Sequence, residues 1–204
     1  MSVVKIFASP PDYTLEHVYR HEADEFNIGL EQGAVKALRA GIRIDLALGD
    51  FDSVDAAERQ FIEAHALQVQ THPADKDATD TELAVNEALQ HDPQRILIFG
   101  GVGSRLDHVF ANLTLLRRGP ITLITDHQRA IVLEPGTHTF HHPHAYVSFF
   151  AIEPIKNLQL EGFRYGLDGY QLLPGDLLCV SNEGSGTIRF ETGVLLVIAA
   201  DDDQ

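Results

Sequence analysis

Cysteine occurs once in the 204 residues, as Cys179 within Leu177-Leu178-Cys179-Val180; that excludes a disulfide framework and makes a reducing, cytoplasmic setting the natural expectation. A lone thiol in an apolar run reads as inert core. Positive charge is also scarce. Fifteen Lys and Arg (15) stand against 30 Asp and Glu, a formal net charge of -15, which opposes phosphate-backbone binding and argues against a nucleic-acid partner. No apolar run approaches the roughly 20 residues of a membrane helix, and Met1 to Phe7 reads as a short strand rather than a signal peptide, so no membrane partner is expected. The chain also lacks a G-x-x-x-x-G-K-[ST] loop, a G-x-S-x-G serine setting, an internal repeat and a low-complexity linker. What remains is an acidic chain with 44% apolar residues, enough for one large domain or two small ones. Handling phosphates with such a charge would require a metal ion.

Apolar runs then alternate with helical patterns. Strands are expected at Val3 to Ala8, Phe26 to Gly29, Ile44 to Leu48, Leu67 to Thr71, Arg95 to Phe99 and Ile121 to Ile124. Between them fall helices at Thr14 to Arg20 with Thr14 as cap, Gly33 to Ala40, Asp55 to His65, a segment through Leu83 and Leu89, and Leu106 to Arg118. That alternation predicts an α/β domain over residues 1–125, Rossmann-like, with a parallel sheet covered by helices on both faces. After Thr125 short strands are expected at Ile131 to Leu133, His138 to Phe140, Tyr146 to Ala151, Leu158 to Glu161, Leu177 to Val180, Thr187 to Glu191 and Val194 to Ala199, separated by Pro and Gly turn signals. They predict a small all-β sandwich over residues 126–204, ending in an acidic tail, Asp201-Asp202-Asp203, that reads as solvated and frayed.

The densest charge lies in Asp75-Lys76-Asp77-Ala78-Thr79-Asp80-Thr81-Glu82. Thr79 and Glu82 have the spacing of a capping box, and Asp80 falls in the first turn, where the helix dipole favours a carboxylate without any function. A calcium helix-loop-helix fails, because the sixth position from Asp75 is Asp80 rather than Gly and the twelfth is Asn86 rather than Glu. Upstream, Gly49-Asp50-Phe51-Asp52-Ser53 follows a strand, so Asp50 and Asp52 project the same way at the edge where open α/β sheets bind ligands. They read equally as metal ligands and as a polar turn in which Asp52 or Ser53 caps the next helix. Asp50, Asp52, Asp77 and Asp80 together suit a hard cation that keeps some waters, which describes Mg2+. Downstream, Gly100 to Arg105 joins a strand to a helix, where backbone amides favour an anion and Arg105 adds a guanidinium for phosphate oxygens. Leu106 stands where a dinucleotide fingerprint would require glycine. His138, His141, His142 and His144 allow a zinc site, but no cysteine supports it and a solvated loop is the simpler reading.

Taken in order, these motifs resemble the thiamine pyrophosphokinase family over nearly the whole chain. The resemblance rests on Gly49 to Ser53, on Asp75 to Ala84, and on Gly100, Gly101, Gly103, Arg105, Asp107 and His108 with Asn112 a turn later. Gly162-Phe163-Arg164-Tyr165 and Ser181-Asn182-Glu183 add C-terminal matches. It implies transfer of a pyrophosphoryl group from ATP, the co-substrate, to thiamine, releasing AMP, by a homodimer. Magnesium is then implied on Asp50, Asp52 and Asp80 with Asp77 adjacent. Asp77 or Asp80 is the candidate to accept the hydroxyl proton, and Arg105 takes up charge. Nucleotide contacts are implied for Ser53, Lys76, Thr79, Gly100, Gly101, Gly103, Arg105, Asp107 and His108. Thiamine is implied at the dimer interface, its ring over Tyr165 and near Ser181, Asn182 and Glu183; an acidic chain with an aromatic face suits its fixed positive charge.

Two stretches depart from the family pattern. Ala8-Ser9-Pro10 stands where many members carry a glycine pair, and Glu31-Gln32-Gly33 where many carry Asp-Arg or Asp-Gly before the glycine. Glu31 would replace the carboxylate, and Arg43 or Lys76 the arginine. Two rival readings follow: a magnesium-dependent phosphatase of the aspartyl-nucleophile kind, suggested by Asp50-Phe51-Asp52-Ser53-Val54 after a strand, and a thiamine or nucleotide sensor that binds without turnover.

Overall fold

Strand β1 (Val3–Phe7) is buried at every position, as a strand covered on both faces must be, and it carries the centre of a six-strand parallel array. Five further strands complete it: β2 (Glu25–Leu30), β3 (Leu46–Gly49), β4 (Gln68–Thr71), β5 (Arg95–Phe99) and β6 (Ile121–Ile124). Their order is β4-β3-β2-β1-β5-β6, every neighbouring pair parallel. The computed structural model describes all residues except Pro11, Asp12, Ala74, Lys76, Asp203 and Gln204. Two compact units divide the chain, Met1–Asp126 and His127–Gln204. Among the described residues, no helix is long and apolar enough to cross a membrane.

Because Val3 registers with Glu25 on one side and with Arg95 on the other, the strand order reverses at β1. A reversal of this kind leaves a crevice beyond the carboxyl ends of the flanking strands. The connecting helices are α1 (Leu15–Val18), α2 (Gln32–Arg39), α3 (Ala56–His65), α4 (Asp80–Gln90) and α5 (Leu106–Leu115), the last continued by a 3-10 turn at Leu116–Arg118. Helix α2 starts directly over the end of β1. A Cβ on Gly33 would lie 2.2 Å from the Phe7 carbonyl oxygen, so only glycine permits that approach.

Three capping expectations change. Thr14 precedes α1, but its hydroxyl donates to the Asp126 carboxylate at 2.8 Å instead of capping, and α1 is one turn long rather than seven residues. Helix α3 is capped by Asp55 rather than Asp52 or Ser53: its carboxylate accepts from Glu58 N at 2.8 Å while the Glu58 carboxylate accepts from Asp55 N at 3.3 Å. At α4, Thr79 Oγ1 accepts from Glu82 N at 3.1 Å, but the Glu82 carboxylate turns to Arg118 at 2.7 Å, leaving half a capping box.

At the amino-terminal end of the strands the sequence hid a buried ionic cluster. Lys5, 1% exposed, donates to Glu25 Oε2 at 2.6 Å, and Glu25 also accepts from Tyr19 Oη at 2.7 Å and Asn27 Nδ2 at 3.0 Å. A lysine this deep is tolerable only with such partners.

The second unit is antiparallel. Strand β13 (Leu195–Ala200) pairs with β7 (Gln128–Leu133) and with β9 (Tyr146–Ala151). A separate sheet runs β11 (Leu167–Leu172), β10 (Ile155–Glu161), β12 (Gly186–Phe190), β8 (Gly136–Phe140). Alternating residues from both, including Phe140, Phe149, Leu160, Ile188 and Val197, make one buried cluster. The fold class is thus mixed α/β, a large mostly parallel sheet with a separate antiparallel one. Leu177 to Val180 does not form the expected strand. It is a turn in which Cys179 stays buried while Leu177 and Leu178 are 71% and 63% exposed. Strand β11 went unanticipated because Leu-Asp-Gly-Tyr-Gln-Leu breaks its apolar residues with Asp168, Gln171 and a glycine with φ +71°. Nor is the described part of the tail frayed: Asp201 accepts from Ala145 N at 2.7 Å and pairs with His144 Nδ1 at 2.8 Å.

Candidate functional site

Beyond the carboxyl ends of β1 to β5 lies a cleft of about 660 Å3. Ser9 and Pro10 reach it from the end of β1, Glu31 and Gln32 from β2, and Asp50, Asp52 and Ser53 from β3. Thr79, Asp80 and Thr81 enter from the start of α4; Gly101, Gly103, Arg105, His108 and Asn112 come from the turn after β5 and from α5. The three sequence motifs therefore do converge, although they lie up to about 60 residues apart.

Glu31 organises the acidic side. Its backbone sits at φ 45° and ψ -114°, a sparsely populated region for a residue with a side chain. The carboxylate, buried, accepts from Phe51 N at 3.0 Å and from the Ser53 hydroxyl, so it holds the Asp50 to Ser53 loop by two bonds. Gly49 makes room, since a Cβ there would lie 2.9 Å from Glu31 Cγ. One oxygen each from Glu31, Asp50 and Asp52 lies within 4.8 Å of the others. Burial pushes the Glu31 carboxyl up to about 7; the Ser53 hydroxyl opposes that rise, while Asp50 and the charge of Asp80 add to it. An all-oxygen set crowded with negative charge fits a hard divalent cation.

The acidic stretch is divided. Thr79 and Asp80 line the cleft, whereas Asp77 is exposed in the bend before α4 and is not among the lining residues. Lys76 lies outside the described residues. Gln32, at the position where the family resemblance led to the expectation of an arginine, donates to Ser53 O at 2.9 Å and to Glu58 at 2.8 Å. Arg43 does not replace that arginine in the cleft; its guanidinium pairs with Asp45 at 2.9 Å, next to the buried Lys5 cluster.

On the basic side, Gly100 and Gly101 adopt φ 83° and 75°. The Gly101 carbonyl accepts from Asn112 Nδ2 at 2.8 Å, and a Cβ on Gly101 would meet that nitrogen at 2.9 Å, so the turn requires glycine for conformation and for space. Gly100 closes the turn by donating its N–H to Ile124 O at 2.9 Å. Arg105 lines the cleft but pairs with Asp107 at 2.6 Å, both exposed. That guanidinium holds the Asp107 carboxyl below the usual carboxylate range. Asp107 thus serves Arg105, while His108 is itself a lining residue.

In the second unit, Tyr165, Ser181, Asn182 and Glu183 are brought together. Asn182, 3% exposed, accepts from Tyr165 N and Glu183 N, each at 2.9 Å, and donates to Tyr165 O at 2.8 Å, so its side chain is a brace. Tyr165 is 56% exposed, with the Arg164 guanidinium 5.4 Å over its ring, and Arg164 in turn pairs with Glu183 at 2.5 Å. Ser181, at φ 57°, donates its N–H to Ser148 Oγ at 3.0 Å. Among the described residues the four clustered histidines form no common ligand set. His138 Nε2 contacts Glu134 O, His142 Nε2 contacts Gly184 O, and His144 contacts Asp201, each at 2.8 Å. Asn112 and Arg164 belong to the motifs quoted from the sequence, but the bonds they make, to the Gly101 carbonyl and to Glu183, could not be read there; nor could those of Gln32, whereas Glu31 stood out as an acid directly before the helix-opening Gln32-Gly33.

Comparison with known proteins gives matches on both units. The thiamin pyrophosphokinase catalytic domain matches residues 19–125 and the thiamin pyrophosphokinase vitamin B1 binding domain residues 137–196. Thiamine pyrophosphokinase of Bacillus subtilis (strain 168) is 38% identical over 186 residues, 86% of this chain and 87% of that protein. A crystal structure of thiamine pyrophosphokinase from Bacillus subtilis has a TM-score of 0.90 at 33% identity, covering 100% of both chains. That of Geobacillus thermodenitrificans thiamin pyrophosphokinase has 0.88 at 32%, covering 100% of this chain and 99% of the other. With both domain types matched in order over most of its length, the chain belongs to the thiamine pyrophosphokinase family.

Proposed function

We propose that the cleft at the strand ends receives ATP and that the Tyr165 to Glu183 region of the second unit holds thiamine. As a member of its family the chain is a thiamine diphosphokinase, moving the pyrophosphoryl group of ATP to the hydroxyl of thiamine and leaving AMP. The observation that carries the site assignment is the meeting of Glu31, Asp50 and Asp52 within 4.8 Å in the cleft that Arg105 also lines. We read the first unit as Rossmann-like and the second as a β-sandwich.

Glu31, Asp50 and Asp52, with Asp80 close enough to act on Glu31 through its charge, would hold a magnesium ion. Bound there, such an ion neutralises and orients phosphate oxygens. Asp77, exposed outside the cleft lining, drops out of this set. Arg105 supplies a positive charge for phosphoryl oxygens, and the Gly101 to Ser104 turn before α5 offers backbone amides in the usual manner of helix-opening loops. Asp80 lines the same cleft and is the side chain we assign to take the thiamine hydroxyl proton. The exposed face of Tyr165 and the carboxylate of Glu183 suit a cationic ring.

Unit 2 also exposes Leu173, Leu177, Leu178 and Val180 within one short stretch. This apolar stretch supports a homodimer, with the thiamine site at its interface. Cys179, the sole cysteine, is buried and unpaired, which fits a cytoplasmic location. A coupled assay of AMP release from ATP, magnesium and thiamine tests the reading. Thiamine-dependent release is expected, and release that ignores thiamine overturns it.

A further inference from the structure

The histidine-rich loop is the one motif that the reaction leaves unused, and its position in unit 2 gives it a role. Four contacts link the loop to the chain on either side of it. His142 Nε2 lies 2.8 Å from Gly184 O, and His142 N donates to Ser185 Oγ at 3.4 Å. Asp201 accepts from Ala145 N at 2.7 Å and faces His144 Nδ1 at 2.8 Å. Asp201 is itself fixed by its N–H donating to His127 O at 3.0 Å. The rings of His142 and His144 stack with centroids 6.2 Å apart and planes 17° from parallel, so the two contacts belong to one packed unit.

Carbonyl and carboxylate oxygens only accept, which fixes the hydrogen positions: Nε2 of His142 and Nδ1 of His144 are the donors. Gly184 directly follows Asn182 and Glu183. Asn182 is bound on its other side by reciprocal backbone bonds with Val147, each at 2.8 Å, and its side chain grips the backbone of Tyr165. Gly184 itself has φ 90°, a conformation with no side chain to hold it, so the direction of its carbonyl depends on what that carbonyl bonds.

We propose that His142 is a positioning residue for the thiamine-holding segment, setting residues 182–184 through the Gly184 carbonyl, with His144 and Asp201 as its anchor. This rests on the reading of Tyr165 and residues 181–183 as the thiamine site. The bond acts on the segment that meets thiamine and touches none of the nucleotide cleft. Loss of the donor therefore changes thiamine affinity and leaves ATP affinity and saturated turnover in place.

The test compares His142→Ala, His142→Gln and Asp201→Ala with the unaltered full-length enzyme in steady-state assays varying thiamine and ATP separately, with thermal melts as a check on folding. His142→Ala raises the thiamine KM roughly five- to tenfold, the size of one lost hydrogen bond, with the ATP KM within about twofold. His142→Gln, whose amide N–H reaches a similar distance, restores most of the loss. Asp201→Ala shifts the thiamine KM in the same direction by less, and supplies the answer should His142→Ala fail to fold. An unchanged thiamine KM, a parallel rise in both KM values, or no recovery with glutamine overturns the proposal. Tyr165→Ala separates the two readings. If it leaves the thiamine KM unchanged, the assignment of the thiamine site falls; if it raises that KM while His142→Ala does not, only the positioning role falls.

Discussion

The Glu31 carboxylate accepts the Phe51 N–H at 3.0 Å across the space that Gly49 leaves empty, tying the turn after β2 to the acidic loop after β3. One side chain thereby sets the spacing of Asp50 and Asp52 and adds a third carboxylate beside them. Structural and chemical duties are combined in Glu31, and substitutions can pull them apart.

Glu31→Gln keeps the side-chain length and an oxygen for Phe51 N–H but removes the charge. We expect the melting temperature to move little while kcat/KM falls by roughly two orders of magnitude, the scale seen when one preorganised electrostatic contact is lost. Glu31→Ala loses activity too, and in addition leaves the Phe51 N–H unpaired, a cost of about 1–3 kcal/mol. Kinetics beside chemical denaturation tell the two apart, and wild-type turnover in Glu31→Gln would remove Glu31 from the site.

Asp80→Asn preserves the shape of the first turn of α4 while deleting a cleft charge. Turnover should drop by at least about a hundredfold with the circular dichroism spectrum intact. Thr79→Ala, its neighbour, loses the bond to Glu82 N and should cost about 1 kcal/mol of stability. Asp77→Asn, outside the cleft lining, should leave rates within about threefold by the same comparison.

Acid should loosen the fold through Glu25. Burial alone would raise its carboxyl, but bonds from Lys5, Tyr19, Asn27 and the Glu22 backbone outweigh that and hold it at about 2, against 4.5 in the unfolded chain. A lowered folded value means this group stabilises the protein fully above pH 4.5 and progressively less as pH falls toward 2. Equilibrium unfolding measured between those limits should show the slope, and Lys5→Met should flatten it. The same variant, by leaving a buried carboxylate without its partner, should cost about 3–5 kcal/mol at neutral pH.

Gly101→Ala places a Cβ 2.9 Å from Asn112 Nδ2 at φ 75°. We expect a loss of about 1–3 kcal/mol from backbone strain, together with weaker nucleotide binding measured by calorimetry. Asn112→Ala should partly relieve the clash, and a double-mutant comparison would show that coupling.

Much of this was legible in the sequence, for physical reasons. Arg95 to Phe99 and Ile121 to Ile124 matched their strands because Ile96 to Phe99 form an apolar run and Ile121, Leu123 and Ile124 keep a mostly apolar one, as strands of a helix-covered parallel array do. The Asp50, Asp80 and Gly101 motifs pointed to one place because strand-end loops in a parallel array all open on the same edge. Pairwise choices among polar side chains could not be read. Glu82 prefers Arg118 over the Thr79 amide, and that depends on where a 3-10 turn 36 residues later comes to rest. Lys5 inside an apolar strand gives no sign of the carboxylate beyond residue 20 that stabilises it. Leu177 to Val180 looked like a strand from its apolar run, yet only Cys179 of the four turns inward.

The placement of β1 between β2 and β5 also orders events during synthesis. Residues 25–30 can pair with β1 early, but its other edge has no partner until residues 95–99 leave the ribosome. Until then the emerging chain carries the Glu31 and Asp50 loops beside an apolar open edge of the kind that invites mispairing. The glycine turn, Arg105, His108 and Asn112 follow directly on β5 and arrive after the acidic loops. The lining of the cleft is therefore completed just after β5 covers the second edge of β1, while β5 itself waits for residues 121–124 to cover its own outer edge.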